Sequence, residues 1–171
     1  MAGGPERAGL EISKAKLDQD IALLVERLPP NKQWRAVVGV ANGGVYPAGK
    51  VADRLNLEYR EIRVSSYIGQ AKAPPKILRA INDADKGAGL LVVDDVIDSG
   101  DTALVIRQML PAADFATVYV KPVGLRKLQH RGTRLTFVEQ HPQDLWIVFP
   151  WDQTGWDPEI PSSVAEYRQS L

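Results

Sequence analysis

The sequence predicts an α/β fold: an open, mostly parallel, twisted sheet flanked by helices. Two observations predict it. Short apolar runs, Ala36–Val40, Leu90–Val93 and Phe115–Val120, have the length and valine-rich bulk of strands buried on both faces. Between them lie stretches with helical apolar spacing or helix-start signals. Strands and helices therefore alternate, as they do where a sheet is parallel and its crossovers are helical.

Taken in order, residues 1–9 are Gly-rich and polar and are expected to fray. Ser13 is a plausible N-cap, after which Leu17, Ile21, Leu24, Val25 and Leu28 share one helical face; Pro29 and Pro30 end that helix. Ala36–Val40 is the first buried strand, Ala41–Gly44 a tight loop, and Val45–Leu55 a helix that tolerates Pro47 in its first turn. Glu58–Val64 alternates as a second strand. Ser65–Lys76, with Gly69, Pro74, Pro75 and two lysines, reads as a long polar loop. Leu90–Val93 is a strand followed by an acidic, glycine-containing loop, and Thr102 opens a helix that runs through Leu110. Phe115–Val120 is the next strand. Residues 10–157 form one domain on this reading, with 121–157, which holds three of the four tryptophans, supplying most of a small hood and 158–171 a tail.

The chain of 171 residues is 44% hydrophobic and 25% charged, enough for a core without disulfide support. Its 21 basic and 21 acidic residues cancel, so no general attraction to nucleic acid or an anionic membrane is expected. Cysteine is absent, which excludes disulfides and thiolate metal sites and fits a cytoplasmic location. The first nine residues lack the apolar stretch of a signal peptide, and no apolar run approaches the roughly 20 residues needed for stable membrane insertion.

The chemistry concentrates in Leu90–Thr102. Four apolar residues, Leu90 to Val93, bring the chain to a strand's carboxyl end, where open α/β sheets bind ligands. Asp94 and Asp95 would be costly there if buried and unpaired, but they suit a crevice holding sugar hydroxyls, directly or through Mg²⁺. Asp98-Ser99-Gly100-Asp101-Thr102 then turns into a helix, whose first amides favour an anion, with Ser99 and Thr102 adding hydroxyls and Gly100 permitting close approach. An apolar strand with a capped helix and no ligand is the plainer alternative. This segment resembles the phosphoribosyl-pyrophosphate-binding motif of the type I phosphoribosyltransferases, in which four apolar residues, two acids, two apolar residues and Asp-Ser/Thr-Gly-x-Thr follow in order.

The resemblance implies roles for further segments. Ala41, Asn42, Gly43 and Gly44 correspond to the pyrophosphate loop, which in that family works through backbone N–H groups and often contains a cis peptide. Relatives commonly carry a basic residue where Asn42 stands; Lys50 or an arginine from another chain is a candidate substitute. Ser65, Ser66 and Tyr67, with the loop through Lys72 and Lys76, correspond to a flexible flap whose lysines could neutralise pyrophosphate. Lys121, at a strand end, would donate to the O6 of a 6-oxopurine. Pro142–Asp152 resembles the base-binding region of bacterial xanthine-guanine phosphoribosyltransferases, with Trp146 stacking on the purine and Ile147 meeting its edge through the backbone. Each of these residues also has a plainer reading, as a turn, a solvated lysine or a core aromatic.

The resemblance therefore implies a type I phosphoribosyltransferase-like sheet with a hood built from both termini, and transfer of the 5-phosphoribosyl group from phosphoribosyl pyrophosphate (PRPP) to N9 of xanthine, guanine or hypoxanthine. It also implies Mg²⁺ as cofactor, bound by Asp94 and Asp95 directly or through water. Asp98 would be the catalytic residue facing purine N7, a nucleotide monophosphate the product, and a homodimer or homotetramer the assembly. Asp101 is unexpected, because a carboxylate in the phosphate loop repels a dianion. The alternative is a PRPP-binding regulator with the same fold and little catalysis, kept open by Asn42 and by the flap, the poorest-matching segment.

Overall fold

The computed structural model describes residues 9–68, 71–157 and 159–171. In chain order the elements are β1 (Gly9–Glu11), α1 (Lys14–Arg27), β2 (Ala36–Ala41), α2 (Val45–Leu55), β3 (Glu58–Ile68), β4 (Ala71–Arg79), β5 (Leu90–Ile97), α3 (Asp101–Met109), β6 (Asp114–Val120), α4 (Pro122–His130), β7 (Leu135–Gln140), β8 (Trp146–Val148), a short 3-10 turn (Pro150–Asp152) and α5 (Ser162–Gln169). Six strands form one sheet in the order β4-β3-β2-β5-β6-β7, parallel except for the β3–β4 pair. β1 and β8 form a separate two-stranded parallel ribbon, the hood. No helix among the described residues is long and apolar enough to cross a membrane.

The period of two along the buried strands sorts their side chains onto two cores. Val37, Leu91, Val93, Ala116 and Val118 face α1, α2 and α5 together with Leu17, Ile21, Leu24, Val51 and Val164. Val38, Val40, Leu90, Val92 and Phe115 face α3 and α4 together with Ile106 and Leu128. The Ser13 hydroxyl accepts the Lys16 N–H at 3.1 Å and so starts α1 as its N-cap.

Several sequence expectations need correction. β5 does not stop at Val93; its pairing with β6 continues through Asp94↔Thr117 and Ile97↔Val120, so both acids sit on strand backbone. The segment read as a long polar loop, Ser65–Lys76, is largely a hairpin: β3 runs on to Ile68 and pairs with β4. Gly69 lies outside the described residues. Pro74 and Pro75 are tolerated because β4 is the edge strand and because the register slips there: between Ser65↔Lys76 and Tyr67↔Lys72, one residue of β3 faces three of β4. Within 121–157, α4 and β7 belong to the main layers, which leaves the hood to β8, the turn after it and β1. Gly9, expected to fray, is the first residue of β1. The stretch 158–171 is more than a tail, since α5 packs its Val164 into the core beside α2.

Candidate active site

From β2 the chain winds one way to β3 and β4, while β5, β6 and β7 lie on the other side. At such a switch point the strand ends splay and leave a crevice outside their carboxyl ends. A crevice of about 500 Å³ lies there, lined among others by Asn42, Asp94, Asp95, Lys121, Trp146 and Asp152. Residues more than fifty positions apart thus meet at one edge of the sheet.

Asp94 and Asp95 form its floor. The Asp95 N–H donates to Asp94 Oδ1 at 2.9 Å and the Val96 N–H to Asp95 Oδ1 at 2.8 Å. Burial pushes the Asp94 carboxyl well above the ordinary carboxylate range, and repulsion from Asp95 adds to the shift. Burial raises Asp95 as well. Two adjacent desolvated carboxyls would gain from a cation or from hydroxyl donors.

Beside them is a second cup of about 220 Å³, walled by Asp98, Ser99, Gly100 and Thr102, with Lys72 at its edge. Gly100, at φ 84°, is the N-cap of α3 and brings no side chain of its own, while Ser99 Oγ accepts the Asp101 N–H at 3.3 Å at the first amide of the helix. Asp101 does not line this cup. Its carboxylate accepts Lys127 Nζ at 2.6 Å and Ser99 Oγ at 3.0 Å, and the Lys127 contact holds it below the usual carboxylate range. Lys76, on β4, is exposed and lines neither cup. Ser65 and Ser66 lie on β3, as does Tyr67, whose backbone registers with Lys72.

On the opposite wall, the Ala41–Asn42 peptide is cis. The Gly44 N–H donates to Val40 O at 2.8 Å, closing the loop tightly before α2. A Cβ on Gly43 would collide with the Asp95 carboxylate, so glycine here lets the loop close over the acids without displacing that side chain. Lys50, a candidate to replace the missing basic residue, sits instead 5.8 Å from the centre of the Tyr46 ring. The cation that reaches Asn42 is Arg63, donating from Nη1 to Asn42 Oδ1 at 2.7 Å.

At the third wall Lys121 is buried, 5% exposed, so it is not a solvated strand-end lysine. Its Nζ lies 3.4 Å from Asp98 Oδ2 and 3.4 Å from Gln143 O. Gln143 Nε2 donates to Asp98 Oδ1 at 2.6 Å, while Gln143 Oε1 accepts the Val123 N–H at 2.9 Å. Asp98 is thus oriented from two sides. Trp146 is 52% exposed at the mouth of the crevice, with Ile147 buried behind it. Sequence reasoning missed the parts played by Arg63, Lys127, Gln143 and Asp152. Gln143 and Asp152 had a local signal, because both stand inside the Pro142–Asp152 segment that carries the resemblance.

An acidic floor at a sheet switch point, a helix start on a glycine N-cap beside it and a glycine loop opposite together make a crevice of the kind that suits a sugar phosphate. The phosphoribosyl transferase domain pattern matches residues 13–154, and the chain belongs to that family. It is 38% identical over 155 residues to the xanthine-guanine phosphoribosyltransferase of Cereibacter sphaeroides, covering 86% of this chain and 89% of that protein. The xanthine-guanine phosphoribosyltransferase of Nitratidesulfovibrio vulgaris is also 38% identical, over 80% of each chain. Among solved structures, a purine phosphoribosyltransferase from Pyrococcus horikoshii superposes with a TM-score of 0.66 at 25% identity, covering 88% of this chain and 99% of that one. A xanthine-guanine-hypoxanthine phosphoribosyltransferase from Helicobacter pylori shares the fold, with a TM-score of 0.64 at 21% identity, over 94% of this chain and 99% of that one.

Proposed function

We propose that this phosphoribosyltransferase joins a 6-oxopurine, namely xanthine, guanine or hypoxanthine, through N9 to the ribose of PRPP and releases pyrophosphate. The observation that carries the choice of base is Lys121. A buried ammonium beside the catalytic carboxylate donates to a carbonyl such as O6 and repels the amino group that adenine carries there. Trp146, open at the same end, offers a ring face for stacking worth about 1–3 kcal/mol per base. The xanthine-guanine relatives support the same choice.

In this mechanism the 5-phosphate rests on the start of α3, with Thr102 donating and Ser99 donating once its hydroxyl turns from Asp101 to the phosphate. Asp94 and Asp95 face the ribose, and their negative charge favours the positive charge that develops on the sugar as pyrophosphate departs. Asp98, oriented by Gln143 and Lys121, accepts or holds the proton at purine N7 while N9 attacks. No cluster of three or more acidic, His or Cys side chains among the described residues is arranged to hold a metal ion. Mg²⁺ still fits, because it commonly takes one or two carboxylates and completes its shell with phosphate oxygens and water. Asp94 and Asp95 would hold it, and it would supply charge neutralisation for the pyrophosphate.

A panel of xanthine, guanine, hypoxanthine and adenine with PRPP and Mg²⁺, reading nucleotide formation, tests the proposal. Product from at least one 6-oxopurine and none from adenine is expected. Turnover of adenine alone would remove Lys121 from its role, and PRPP binding with no turnover of any base would favour the regulator.

A further inference from the structure

We propose that Arg63 is the cation that holds the departing pyrophosphate, acting beside the Ala41–Gly44 loop from the neighbouring strand. The inference rests on the transferase reading above and names a residue for its leaving-group end. Pyrophosphate carries several negative charges, and the loop's four residues bring it no charged side chain. The crevice around it is acidic, with Asp94, Asp95 and Asp152 in its lining and Asp98 at its far wall. Three lysines near it are placed elsewhere: Lys121 by Asp98, Lys127 on Asp101, and Lys72 over the cup at α3.

Strand register puts Arg63 directly beside the loop, and Arg168 of α5 lines a separate pocket on the other side of Asn42 and Gly43 with Tyr46 and Trp151. β2 and β3 are parallel neighbours with Ala41↔Arg63 as the last pair, so Arg63 stands on β3 beside the residue where β2 ends and the loop begins. Its guanidinium donates to Asn42 Oδ1 at 2.7 Å and to Glu61 Oε1 at 3.3 Å, and its side chain remains 41% exposed. These bonds use two of the five N–H donors of a guanidinium. Glu61 is buried, and its other oxygen accepts the Tyr59 hydroxyl at 3.0 Å. The carboxylate is therefore an anchor that keeps the arginine at the loop, and it also partly neutralises the charge offered to a ligand. Arginine suits the task because its fork matches phosphate oxygens in pairs.

This arrangement predicts opposite signs for two substitutions. Inorganic pyrophosphate with Mg²⁺ is titrated by calorimetry into the wild type, Arg63→Gln and Glu61→Gln, with melting curves recorded for each. Arg63→Gln should weaken binding roughly tenfold or more, the loss expected of a charged hydrogen-bond pair. Glu61→Gln keeps the shape but frees the guanidinium's charge, so binding should tighten by about twofold or more. A residue that merely braced the loop would make both substitutions weaken binding. Arg63→Gln within about twofold of wild type, or Glu61→Gln unchanged or weaker, overturns the proposal. Should Arg63→Gln fail to fold, the sign for Glu61→Gln decides alone. The titration contains no base, so a wild type that binds pyrophosphate yet makes no nucleotide would cost the transfer reading and leave Arg63 in place. Failure of Arg63→Gln to change pyrophosphate binding in an active enzyme would do the reverse.

Discussion

Asp94 and Asp95 show how function shapes stability at a single residue. Their carboxyls are raised by burial, and a raised carboxyl binds more protons folded than unfolded. What they contribute to stability is therefore complete below the ordinary carboxyl pKa of about 3.9 and is lost as pH rises through the raised folded value. At neutral pH the empty site is destabilised by its own acids. Asp94→Asn should stabilise the ligand-free protein by about 1 kcal/mol and raise its melting point by about 2–4 °C, while PRPP binding is lost. Melting curves of both proteins between about pH 4 and pH 8 should converge at the acid end and separate as pH rises. A variant that melts below wild type at neutral pH would show that the acids are structurally satisfied as they stand. Asp101 behaves oppositely: Lys127 holds it ionised, and the pair is exposed enough to be worth at most about 1 kcal/mol.

At the scale of elements, the phosphate cup depends on two helix starts held against each other. The Gly124 N–H of α4 donates to Asp98 O at 2.9 Å, and a Cβ on Gly124 would lie 2.6 Å from that oxygen. Backbone on both sides leaves little room to yield. Gly124→Ala should therefore push α4 off the cup, cost about 1–3 kcal/mol and raise the KM for PRPP well above that for the base. Equal KM values in the variant and the wild type would mean that the cup tolerates the shift. This dependence was not legible in the sequence, whereas the thirteen contiguous residues Leu90–Thr102 announced strand, acids and turn together. The β3–β4 hairpin was misread because its prolines, glycine and lysines have loop composition, which an edge strand also accepts. α5 escaped notice for another reason. Its first amides are capped by Asp53, from Ser162 N at 3.0 Å and Ser163 N at 2.8 Å, across 109 and 110 positions of chain. Arg63 and Lys127 likewise reach the site through strand register and helix packing, which no local pattern encodes.

Across the whole molecule, the hood joins the two ends of the fold over the crevice. β1, near the start of the chain, pairs with β8, registering Gly9↔Trp146 and Leu10↔Ile147, and the Ile12 N–H donates to Val148 O at 2.9 Å. Behind the ribbon, Ile147 and Phe149 pack in the same core as Ile12 and Leu17, and Phe149 stacks on Trp151 at 4.7 Å between ring centres. In the proposed mechanism the stacking face for the base, Trp146 with Ile147, comes from the hood, while Lys121, Asp98 and the sugar-phosphate residues stand at strand ends of the six-stranded sheet. The two should fail separately. Leu10→Pro removes a backbone N–H from a ribbon of only two strands and fixes φ where pairing is needed. β8 would lose its partner, and Trp146 would no longer be held at a fixed height over the crevice. The expected result is a KM for the purine raised about tenfold, with pyrophosphate affinity and the melting of the main core little changed. Because β4, β3, β2, β5, β6 and β7 pair without any contribution from β1, an equal loss of purine and pyrophosphate binding would show instead that the hood and the sheet form one cooperative unit.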